Sequence, residues 1–95
     1  MPLFILTCLD NADVLDRRLA TRPDHLAYVS SFGAAVRLAG PLLEGVDGTP
    51  KGSFFILDMK NEAAVTAFAD GDPYLIAGVF GARSQHAFRQ VIGTL

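Results

Sequence analysis

Two stretches, LFILTCL at residues 3–9 and SFFILDM at 53–59, are apolar at odd and even positions alike, and this limits the fold more than any other feature. Side chains alternate across a strand, so a sheet with one wet face would show alternation. Phe4 beside Ile5, Phe54 beside Phe55 and Ile56 beside Leu57 instead call for cover on both faces. A chain of 95 residues has room for one core, so residues 1–95 are read as a single domain. It buries only roughly 60–65% of its unfolded surface. One layer of short helices covers one sheet face, and an apolar face left over normally marks an interface. The expected solution is a symmetric homodimer closing sheet against sheet.

Punctuation between the strands sets the element order. Asp10, Asn11 and Asp13 end the first strand and offer caps for a helical segment. Leu15, Leu19, Leu26 and Val29 form its apolar stripe, with Arg22 in an intermediate slot. Pro23 lacks an N–H and clashes with the preceding turn. The expectation is therefore a break at T-R-P-D, with Thr21 capping a main helix over about 22–33 that stops near Gly33. AAVRLAG at 34–40 reads as a short strand closed by Gly40-Pro41, and LLEGVDGTPKG at 42–52 as a loop or wide hairpin. Asn61 caps a helix through Ala64, Val65 and Phe68 that stops at Gly71. Asp72-Pro73 opens a short turn ending at Gly78, and the last strand falls within 79–89. The order β-α-β-β-α-β predicts an α+β, ferredoxin-like antiparallel sheet with helices on one face, dimerising through the other.

Composition removes several function classes. Eight Lys and Arg against ten Asp and Glu give a net charge of −2, which offers no basic stripe for nucleic acid. No apolar run approaches the ~20 residues that span a bilayer, and Met1-Pro2 leads into a strand rather than a secretory signal, so the cytoplasm is the expected compartment with no membrane partner. The lone Cys8 cannot form an internal disulfide and sits in an apolar run, where a thiol behaves as a small hydrophobe. His25 and His86 with the aspartates lack short ligand spacing, so neither metal nor cofactor is expected. GVDGTPKG lacks the GK[ST] ending of a phosphate loop. No nucleophile elbow surrounds a serine, and Ser53 reads better as a hydrogen-bond donor than as a nucleophile.

The polar residues of the first helical segment carry the functional reading. Arg18, Arg22 and His25 stand at i, i+4 and i+7 and share a face if the helix is continuous. A histidine works as a general base near neutral pH when a carboxylate supports its charged form against such cations. Asp10, just past the end of the first strand, and Asp72, after the second helix, are the candidates. The residues leave the choice open.

The chain resembles the YCII-related family of small proteins with a dimeric ferredoxin-like, alpha-beta-barrel fold. The resemblance covers nearly the whole chain. It rests on Asp10, R-L-A-x-R-x-x-H-L at 18–26, A-G-P at 39–41, Ser53, and D-P-Y-x-x-A-G at 72–78. It implies an active site built on His25 with Asp72 or Asp10, Asp72 having the more distinctive motif, and a pocket lined by Arg22 and Ser53. Arg18 and Tyr74, in the same motifs, are counted with the substrate-binding residues. Some relatives resemble lyases that eliminate a leaving group from small unsaturated or lactone-like acids.

The resulting expectation is a metal-independent lyase-like or isomerase-like enzyme. His25 removes a proton, the aspartate orients it, Arg22 clamps a carboxylate with its planar donors, and Ser53 donates to developing oxyanion charge. The competing expectation is a non-enzymatic dimer that binds a small ligand or accompanies an enzyme. A His25 without a carboxylate partner would distinguish it.

Overall fold

The central strands build the frame on which everything else hangs. In the computed structural model, which describes residues 1–95, β1 (Leu3–Asp10) lies between β3 (Pro50–Asp58) and β4 (Phe80–Phe88), and β2 (Val36–Leu43) pairs outside β3. All three pairings are antiparallel, in the order β2-β3-β1-β4. The two apolar runs thus occupy the two inner strands, where both edges of the backbone are paired. Pro41, which cannot donate to a ladder, sits in the edge strand β2, and Pro50 opens β3. The fold is ferredoxin-like α+β.

Helices α1 (Leu15–Ser30), α2 (Glu62–Gly71) and α3 (Pro73–Ile76) pack on one sheet face. The core there joins Phe4, Leu6 and Cys8 of β1, Phe55 and Leu57 of β3, and Val65 and Phe68 of α2. Asn61 caps α2 by accepting from the Ala64 amide at 2.9 Å, as its side chain predicts. Asp72 caps α3 in the same way by accepting from the Tyr74 amide, with Pro73 in the first turn. The opposite face carries Leu3, Ile5, Phe54 and Ile56 in register, joined by Leu38, His86 and Phe88 from the outer strands.

Several sequence expectations are corrected. Helix α1 is continuous from Leu15 to Ser30 with Pro23 inside it, so Thr21 does not start a new helix. Pro23 and Leu19 are both exposed, and water can satisfy the carbonyl that loses its donor. Residues 33–35 form a 3-10 turn, which moves β2 to 36–43, and β3 begins at Pro50 rather than Ser53. Asp10 is the last residue of β1, not a loop residue beyond it.

The larger correction concerns which side of α1 is inside. The leucine stripe faces outward: Leu15, Leu19 and Leu26 are 38%, 57% and 43% exposed. The buried stripe is Arg18, His25 and Val29. These lie at i, i+7 and i+11, a helical line as regular as the leucine one, and the sheet selects it.

Candidate functional site

Arg18 and His25 are buried because the sheet and α3 supply their partners. Asp10 shares the parity of Phe4, Leu6 and Cys8 and so points at the helices; the register shift in the β1–β4 pairing puts its extra residue on β4, between Phe80 and Arg83, and leaves the parity of β1 intact. Its Oδ2 accepts from Arg18 Nε at 2.9 Å, with both side chains almost fully covered. Ser53 pairs with Cys8 and therefore also faces the helices. Arg18 Nη2 donates to Ser53 Oγ at 2.8 Å and to the Gly52 carbonyl. At Gly52 the strands run so close that a Cβ would stand 2.5 Å from the Cys8 carbonyl oxygen. Glycine allows this approach of β3 to β1, and it is the Gly52 carbonyl, not that of Cys8, that accepts from Arg18.

His25 belongs to a second cluster. Its Nδ1 lies 2.8 Å from Asp72 Oδ1 and 3.1 Å from Oδ2. Asp72 Oδ1 also accepts from the Tyr74 amide at 2.9 Å. The cap that starts α3 is therefore the carboxylate that holds the histidine. Since the carboxylate accepts, Nδ1 donates, and Nε2 has no partner in the chain; in the neutral imidazole of this tautomer Nε2 holds the lone pair. The imidazole stacks on the Tyr74 ring with centroids 4.0 Å apart, and the Arg18 guanidinium lies 4.6 Å from the centre of the same ring. Phe55 and Phe80 meet the imidazole edge-on.

These groups surround a cavity of about 160 Å³ between α1, β2 and β3, lined by Arg18, Arg22, His25, Ser53, Phe55 and Tyr74 among others. Asp72 stands behind His25, and Asp10 behind Arg18. The alternatives left open by the sequence are thus resolved into two separate pairs, and Asp10 is not the partner of His25. Arg22 is exposed and borders the cavity, whereas Arg18 is buried in its wall. The sequence reading missed Phe55 as a wall and the Gly52 carbonyl as an anchor. An apolar strand residue and a backbone oxygen carry no side-chain signal.

The remaining reactive side chains do not join this site. Burial above all, with Asp72 next, pushes the Cys8 thiol up to about 12 despite the opposing effect of Arg83, so it stays protonated. Burial, followed by Asp72 and Asp70, also raises Tyr28, whose hydroxyl donates to the Phe68 carbonyl. His86 pairs with Ile5 and lies on the opposite sheet face from the buried stripe of α1. No helix is long and apolar enough to cross a membrane.

Comparison with known proteins finds relatives over nearly the whole chain. Residues 2–89 match the model of the YCII-related domain. Protein YciI of Escherichia coli is 35% identical, the alignment covering 94% of this chain and 98% of the relative. An uncharacterized protein of Haemophilus influenzae is 33% identical, with 93% and 97% covered. Among solved structures, the 5-chloro-2-hydroxyhydroquinone dehydrochlorinase TftG of Burkholderia phenoliruptrix, in complex with 2,5-dihydroxybenzoquinone, superimposes with a TM-score of 0.88 at 28% identity. That match covers 94% of this chain and 95% of TftG.

Proposed function

We propose that this chain, which belongs to the YCII-related family, is a small-molecule enzyme that abstracts a proton from a small carboxylated substrate and promotes elimination or isomerisation. The observation that carries the reading is the Asp72–His25 contact at 2.8 Å, with the other imidazole nitrogen left unbonded on a residue that lines a cavity. This distance lies within the range at which one side chain orients another for proton transfer. The name of TftG supports the reaction class, since dehydrochlorination removes a proton and a chloride.

Each residue has a role in this reading. His25 Nε2 accepts the proton while Asp72, fixed by the Tyr74 amide, holds the tautomer and stabilises the imidazolium that forms. Arg22 at the mouth attracts the carboxylate. Tyr74 and Phe55 supply flat walls, and a cavity of this volume matches the roughly 150 Å³ that accommodates one benzene ring. The protein acts as a homodimer whose open sheet face is covered by a second copy. No metal or organic cofactor enters the proposal.

A ligand-binding module is disfavoured by the same contact, because binding alone does not require a carboxylate behind the histidine. The test is a panel of small unsaturated, lactone and chlorinated acids followed by proton-exchange NMR, with H25A and H25N as paired controls. Positioned proton transfer contributes about 10²–10⁴-fold, and each variant is expected to lose that much turnover while remaining folded. Turnover undiminished in H25A refutes the mechanism.

A further inference from the structure

We propose that Arg18 is itself a substrate-contacting residue, and that the site takes compounds whose acidic C–H adjoins a carbonyl, the carbonyl oxygen seating on Arg18 Nη1 and the Ser53 hydroxyl. This deepens the reading of His25 as a base and rests on it. The argument begins with the donors of one side chain. A guanidinium has five N–H groups. Nε uses one on Asp10, and Nη2 uses two on the Gly52 carbonyl and Ser53 Oγ. The two on Nη1 have no partner in the chain, although the Arg18 side chain is only 5% exposed and lines the cavity. Nη1 keeps access to solvent, since the fully covered side-chain polar atoms without a partner are Asp10 Oδ1 and Asp58 Oδ1. An acceptor arriving in the cavity takes the place of water on Nη1.

Ser53 adds a second donor at the same place. Its oxygen accepts from Arg18, which leaves the hydroxyl hydrogen free, and Ser53 also lines the cavity. An oxygen meeting both donors is held against an apolar wall of Phe55 and Tyr74, where fixed donors act more strongly than in solution. Arg18 is balanced by Asp10, so selection here is by donor geometry and by charge developing during reaction, not by net charge. Arg22, exposed at the rim, provides the solvent-screened attraction. A purely structural clamp between α1 and the sheet would need no unused edge on the cavity.

The step balances as follows. The substrate C–H bond breaks, and His25 Nε2 takes the proton. The C–H electron pair forms a carbon–carbon double bond, and the carbonyl pair moves onto oxygen as an enolate held by Arg18 and Ser53. Return of the proton, or departure of a leaving group with its bonding pair as the carbonyl reforms, completes an isomerisation or an elimination.

The test uses 4-nitrophenol, a single ring whose phenolate oxygen imitates the enolate and whose colour reports ionisation. Wild-type protein is expected to bind the phenolate in preference to the phenol and lower its apparent pKa by about one unit, a tenfold preference. R18K and S53A should lose that preference, while H25N retains it. This separates the two ideas: an intact preference with turnover insensitive to H25N sinks the base, whereas loss of turnover in H25N without any wild-type preference sinks only Arg18. R18K could disturb packing around Asp10. For that reason the nitrogen resonances of the Arg18 guanidinium are also followed in wild-type protein, and must move on addition of the phenolate. Unmoved resonances, absence of binding at millimolar concentration, or a preference that survives both R18K and S53A overturns the proposal.

Discussion

Replacing Asp72 with asparagine probes the site through its charge, and the geometry dictates the result. Asp72 Oδ1 serves two donors, the Tyr74 amide at 2.9 Å and His25 Nδ1 at 2.8 Å, while Oδ2 lies 3.1 Å from Nδ1. In D72N the remaining oxygen must keep the Oδ1 position, because an NH₂ there would face the Tyr74 amide donor to donor. That oxygen is also the nearer acceptor for Nδ1–H, so the tautomer is kept, with the NH₂ at the Oδ2 position. What is lost is the negative charge that stabilises the imidazolium formed on proton transfer. A hydrogen bond to a charged group contributes about 1.5–3 kcal/mol, and the α3 cap survives, so the stability loss should stay within about 1–3 kcal/mol. Turnover should nevertheless fall by about 10²–10⁴-fold. Nitrogen-15 NMR of labelled histidine reads the neutral tautomer directly, with the unprotonated nitrogen at Nε2 in both proteins. A tautomer protonated at Nε2 in either protein, or turnover undiminished in D72N, would refute the reasoning.

Two further predictions concern the rest of the molecule. Cys8 is held protonated to about 12 in the folded chain against an ordinary value of 9.0. The folded value is raised, so stability is fully present below pH 9 and is lost progressively as pH rises from there toward 12, where only the unfolded thiol ionises. Urea titrations across that window check the sign, and a thiol reagent should label Cys8 only on unfolding; rapid labelling of native protein contradicts this. The sheet face opposite the helices, where Leu38 and Phe88 stay exposed beside half-buried Ile5 and Phe54, predicts that light scattering gives about twice the chain mass of 10.2 kDa, and a folded monomer at micromolar concentration would remove the dimer.

Where local chemistry decided the outcome, the sequence was enough. The runs at 3–9 and 53–59 became the two inner strands, because their apolar character suits strands paired on both edges. Asn61 and Asp72 are caps because their side chains reach an amide two or three residues on. Together with the element order, these features determined the ferredoxin-like fold. The motif resemblance brought His25, Arg22 and Ser53 forward as one pocket.

What only tertiary structure decided was the side of α1 that faces inward, and the partner each charge receives. Hydrophobicity favoured the line of Leu15, Leu19 and Leu26, yet Arg18 and His25 are inside. Burying them is tolerable only because Asp10, Ser53 and Asp72 satisfy them, from 8, 35 and 47 residues away along the chain. Pro23 likewise reads as a break from its own chemistry, but the packed helix runs through it with the affected turn toward solvent. Asp10 and Asp72 are equivalent carboxylates in sequence. The register of β1 against its neighbours aims one at Arg18, and the cap of α3 aims the other at His25, so long-range geometry assigns what residue type leaves degenerate.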